Sequence, residues 1–198
     1  MLKQYITKYV KENFKIIQIL SFILLLGMIS GIVVFSFLSN DIKNEFVSTI
    51  KSNLDIAKTT NFEGINIIKN GISSNLYLSL AIYFMAITLI APILVILVVA
   101  LKGFSIGVFI SSIISLFGIG KGILVVLVLV LLPNIIYIPS FIYLCVNSIN
   151  FHYMIMEDKD KIKSFGKESY KYILVMSLFV LSLIIEQLTS YLVINMYI

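Results

Sequence analysis

Apolar residues fall into long runs, and short lysine-bearing segments divide them. The runs at 16–38, 76–101, 104–117, 123–149 and 172–194 are almost wholly hydrophobic. Roughly 20 apolar residues make a helix that crosses a ~30 Å hydrocarbon core. The first, second, fourth and fifth runs meet that length. Residues 104–117 would reach only about 21 Å at ~1.5 Å per residue. Two architectures fit 104–149: two tilted spans, or a re-entrant hairpin over Phe104–Leu132 followed by a shorter span. The pattern predicts an all-α, polytopic membrane helical bundle with about five spans and a single membrane domain over 1–198.

The segments between the runs carry a helical rhythm of their own. In 1–15, Leu2, Tyr5, Ile6, Tyr9, Val10 and Phe14 recur at helical spacing, opposite Lys3, Lys8, Lys11 and Lys15. That is the pattern of an interfacial amphipathic helix on an anionic membrane surface. In 39–75, Ile42, Phe46, Ile50 and Leu54 recur every fourth position, and Phe62, Ile65, Ile68 and Ile72 follow. Two short amphipathic helices in an extracytoplasmic loop are expected there. Within the first run, Gly27 and Gly31 have the spacing that lets helices approach closely, and packing inside the bundle is the expected use. Pro92, Pro133 and Pro139 all lie in apolar runs, where a missing backbone donor kinks a helix.

Composition agrees. The chain is 60% hydrophobic with mean hydropathy +1.05, whereas soluble domains are roughly 45–50% apolar. The net charge is +5, and every basic residue is lysine. Lysines at the ends of apolar runs fit membrane topology and not nucleic-acid binding. The 1–15 arm has four lysines, the loop at 150–171 five, and the longer 39–75 segment four. The two dense segments are therefore expected in the cytoplasm, with the N-terminus inside and five true spans. The first run is expected to stay as an anchor in the cytoplasmic membrane, because it is too long for a cleaved signal and no small-residue cleavage site follows it.

Catalytic chemistry finds little support. Cys145 is the one cysteine and His152 the one histidine, so no metal set is formed. The apolar runs hold no aspartate and the chain no HExxH, so the usual intramembrane protease pairs are absent. Gly118, Gly120 and Gly122 make a glycine-rich turn, but no β-α unit surrounds them. No cofactor and no enzymatic activity are expected. Glu186 is the one acid well inside a run. Such a residue defaults to a functional reading; the structural alternative places it, protonated, in a polar pocket near Asn134 or Asn147.

Three central blocks stand out: Lys102-Gly103-Phe104-Ser105-Ile106-Gly107, Gly118-Ile119-Gly120-Lys121-Gly122, and Leu132-Pro133-Asn134-Ile135-Ile136-Tyr137-Ile138-Pro139. Together they resemble the stage II sporulation protein M family of endospore-forming bacteria. Members often carry a glutamine between the first proline and the asparagine, whereas here Asn134 follows Pro133 directly. The resemblance implies a non-catalytic membrane scaffold of the engulfment machinery at the sporulation septum. It also implies partnership with the peptidoglycan-remodelling stage II sporulation proteins D and P.

The structural and assembly candidates are Lys102, Gly103, Gly107, Gly118, Gly120, Lys121, Gly122, Pro133, Asn134, Tyr137 and Pro139. The glycines would serve tight turns and close helix contact, and Asn134 would bond a carbonyl freed by Pro133 or Pro139. Lys102 and Lys121 would snorkel to opposite interfaces. Lipids and self-association complete the expected partners. The competing reading is a small transporter or permease subunit that uses Glu186 and the broken central helices.

Overall fold

The computed structural model describes residues 2–59, 77–157, 175, 177–182, 184, 185 and 189. Every regular element among the described residues is helical. In order they are α1 (Leu2–Glu12), α2 (Phe14–Phe37), α3 (Asn40–Thr59), α4 (77–85), α5 (Ala91–Phe117), α6 (Ile119–Val126), a π-helical turn (Leu127–Leu131) and α7 (Leu132–Glu157). Among the described residues, three stretches are long and apolar enough to cross a membrane: Phe14–Phe37, Ala91–Phe117 and Ile119–Met156. Most of the expected 172–194 span lies outside the described residues.

α1 and α2 are nearly continuous and meet at Asn13 (φ −108°, ψ 14°). The joint keeps the helical ladder, since Asn13 N–H donates to Tyr9 O (3.1 Å) and Ile17 N–H to Asn13 O (3.0 Å). α2 then runs ~36 Å, enough for the bilayer core. The expected helices in 39–75 are represented by α3, whose Ile50 joins a buried cluster with Ile106, Ile113 and Val125. Phe46 meets Phe35 edge-on at 6.2 Å. The second of those helices lies outside the described residues.

The central runs divide differently from the expectation. Residues 76–101 do not form one kinked span: the helix stops after 85, and i→i+3 bonds at Ala86, Ile87 and Thr88 carry the chain round. Pro92 is the cause. Its ring excludes helix at the Thr88 carbonyl, and the first turn is the one helical position where a missing N–H is harmless. Pro92 accordingly sits in the first turn of α5. The break expected between 101 and 104 is absent, because α5 passes through Lys102 and Gly103 without interruption. Residues 104–117 are thus the second half of a long helix and not a short re-entrant arm.

The glycine pairs explain why Gly103 does not end the helix. A Cβ on Gly27 would strike Ala100 O, and one on Gly31 would strike Phe104 O. A Cβ on Gly103 would strike Leu24 O, and one on Gly107 would strike Met28 O. The two small-x-x-x-small faces therefore bring the backbones of α2 and α5 into direct contact. Residue numbers rise together along the seam, so α2 and α5 run parallel. α7 runs the other way: Tyr9 of α1 contacts Tyr143, and Ile17 and Ser21 of α2 share a groove with Ile142 and Ile138.

The return from α5 is made at Gly118, whose φ of 76° favours glycine. Gly122 lies against Ile114 Cα, 2.9 Å from where its Cβ would be, while Gly120 has nothing within 4 Å. From Ile119 the chain is helical to Glu157, and Pro133 and Pro139 do not break it. One buried cluster joins Leu20, Leu24, Val95, Val99, Phe141 and Phe179. Large apolar side chains such as Phe22 (62% exposed) and Phe84 (58%) ring the outside, as a lipid-facing surface requires. The lysine-rich arm and the end of α7 meet at one end of the bundle.

Candidate functional site

The first and third sequence blocks converge on one cleft. Its volume is about 260 Å³, and Lys102, Ser105, Pro133, Asn134, Tyr137 and Ser182 line it. Four more apolar residues complete the wall. Each polar member has a traceable origin. Lys102 and Ser105 share a face of α5 because they are three residues apart. Asn134 and Tyr137 share a face of α7 for the same reason. Ser182 comes from the helical residues 177–182.

Lys102 does not sit at an end of its helix. It lies ~17 Å along α5 from Ala91 and ~22 Å from Phe117. The neighbouring Gly103 touches Leu24 and Met28, in the middle of α2. Two helices thus place Lys102 near mid-depth, where a lysine is costly by about 2.5–3.5 kcal/mol on insertion scales. The expectation that Lys102 would mark the end of a span is not met, because α5 continues through it. The charge is met by a π-face, with Lys102 Nζ 4.5 Å from the centroid of the Tyr137 ring. Tyr137 is itself fixed between rings, stacking on Phe179 at 4.9 Å and on Phe141 at 6.0 Å. Lys121, by contrast, is exposed just after the Gly118 turn.

The third block supplies the backbone irregularity. Pro133 has no N–H to give Leu129 O, and the π turn Leu127–Leu131 falls in the preceding residues. Asn134 Nδ2 donates to Val130 O at 2.7 Å. The expected bond from Asn134 to a carbonyl is present, but it goes to the neighbour of the proline-freed carbonyl. Pro139 lies within α7, and beside it Ser140 Oγ donates to Ile136 O at 2.7 Å. The second block stays away from the cleft: Gly118, Gly120, Lys121 and Gly122 build the α5–α6 turn. Gly103 and Gly107 belong to the helix seam. Glu186 lies outside the described residues.

A second polar cluster was not anticipated from the sequence. Tyr9 Oη donates to Asn147 Oδ1 (3.0 Å), and Asn150 Nδ2 to Asn13 Oδ1 (2.7 Å). Asn147 is 3% exposed, and its Nδ2 finds no hydrogen-bond partner among the described residues. His152 is buried and faces Ala86 O through Nδ1 at 3.3 Å. Ser148 Oγ donates to Ile82 O at 2.9 Å. These bonds fasten the end of α4 to α7. Their signal in the sequence was an Asn-Ser-x-Asn-x-His run at the end of an apolar stretch. Cys145 is buried in the same wall.

Among the described residues no cluster of three or more His, Cys, Asp or Glu side chains comes together. What the cleft can do chemically is hold a cation at mid-membrane beside hydroxyl and amide groups. A family model described as stage II sporulation protein M matches residues 20–190. No match is found among curated proteins or among solved structures.

Proposed function

Because the chain belongs to the stage II sporulation protein M family, we propose that it is a non-catalytic scaffold of the engulfment machinery. In this reading it spans the cytoplasmic membrane at the sporulation septum and holds the peptidoglycan-remodelling stage II sporulation proteins D and P there. The observation that carries the reading is the fate of the three blocks that resemble the family. They go into a glycine seam, a turn and a polar hinge, which are the parts of a rigid membrane body. In this reading the lysine-rich N-terminal arm faces the cytoplasm, in keeping with the preference of lysine for that side. Deleting the gene and imaging sporulating cells with a membrane dye tests the role. Septa that form but fail to curve and migrate are expected. Normal engulfment would remove the assignment.

A second reading, a small transporter or permease subunit, is favoured by one observation: Lys102 lies near mid-depth in a cleft with Ser105, Asn134 and Ser182. Intramembrane charges often mark substrate paths. Under this reading Lys102 and Glu186 are indispensable, and their neutral variants lose activity while still assembling with partners.

A further inference from the structure

We propose that the groove between the N-terminal arm and the α2–α7 face binds one anionic phospholipid, with an acyl chain in the groove and its headgroup against Lys11. The groove has a volume of about 410 Å³ and is walled mainly by Ile17, Ile138, Pro139 and Ile142. Val10, Ser21, and Tyr9 with Tyr143, whose ring centroids are 4.8 Å apart, complete the wall. It lies between two helices that run along the bilayer normal, so its long direction is that of a lipid tail.

Charge decides what occupies it. Val10 lines both the groove and an adjoining surface depression formed with Thr7, Lys11 and Phe14. The apolar slot therefore opens beside a lysine. Lys8, Lys11 and Lys15 are exposed on this arm against the single carboxylate of Glu12. Glu12 approaches Lys8 at 3.8 Å, and both side chains are well exposed, so the pair is weak. Lys11 and Lys15 form no ion pair among the described residues. An apolar slot with cations at its mouth matches an amphiphile with an anionic head.

The arm is also fixed in advance. The Tyr9–Asn147 and Asn13–Asn150 hydrogen bonds clamp α1 to α7, so the wall exists before a lipid arrives. The arm thus does more than rest on a charged surface: it completes a site for a single lipid molecule.

The test uses the full chain in nanodiscs of equimolar phosphatidylcholine and phosphatidylglycerol with identical acyl chains. Native mass spectrometry then counts the lipids that stay bound. One phosphatidylglycerol retained in preference is expected. Val10→Trp, a change at an exposed position, should block the slot and abolish retention. Lys11→Gln should lower the preference for phosphatidylglycerol about fivefold. If Val10→Trp fails to fold, Lys11→Gln, at an exposed position, decides. Equal retention of the two lipids by the wild type would overturn the site. So would a preference untouched by Lys11→Gln, or a second copy of the chain retained in place of lipid.

Discussion

Lys102 Nζ stands 4.5 Å from the centroid of the Tyr137 ring, midway along a helix long enough to cross the membrane. The pair links the first sequence block to the third and ties α5 to α7. A desolvated cation–π contact of this kind contributes about 2 kcal/mol. Tyr137→Leu, which removes the ring, should destabilise the protein in detergent more than Tyr137→Phe, which keeps it. Thermal unfolding of the two variants checks the order.

The α2–α5 seam makes a sharper prediction. Gly103→Ala puts a methyl group into Leu24 O, and both partners are backbone, so no side chain can yield. A loss of about 1–3 kcal/mol is expected. Gly120→Ala, where nothing lies within 4 Å, should instead gain up to about 1 kcal/mol from helix propensity. Unfolding of the pair side by side separates seam packing from a general dislike of alanine.

At the proline hinge, Asn134 Nδ2 donates to Val130 O. Asn134→Ala loses that bond, worth about 1 kcal/mol. Asn134→Asp should be worse than Asn134→Ala, since it turns an acceptor towards an acceptor in a low-dielectric setting. Unfolding in detergent ranks the two, and partner capture shows whether the hinge also matters for assembly.

The arm is held by Tyr9 and Asn147. Tyr9→Phe removes the hydroxyl that donates to Asn147 Oδ1, so the buried amide, whose Nδ2 already has no partner among the described residues, loses the bond at its oxygen as well. A loss of about 1–3 kcal/mol is expected, confined to the arm. Hydrogen exchange should rise across residues 2–12 and stay unchanged in α5.

The membrane class, the helical content and the helix of the N-terminal arm were legible in the sequence, because run length and period-3.6 spacing respond directly to the bilayer. Helix boundaries were not. Lys102 was read as a span end since lysine favours interfaces, yet the Gly103–Gly107 face needed an unbroken helix to meet Gly27 and Gly31. Pro92 was read as a kink within a span, whereas its ring ends one helix and begins another. Asn134 was legible as a carbonyl partner, but the choice of Val130 followed from the π turn. Ser105 and Ser182 carried no pattern of their own, and folding alone brought them to Lys102. The Tyr9–Asn147 bond joins residues 138 apart and left no local trace.

The scaffold role is tested most directly by following fluorescent stage II sporulation protein P in sporulating cells that lack this chain. Protein P should spread around the membrane, and septal foci should return with the wild-type gene and with Glu186→Gln. They should not return with Gly103→Leu, which forces apart α2 and α5. Septal foci that persist without the chain, or that depend on Glu186 alone, would contradict the scaffold reading.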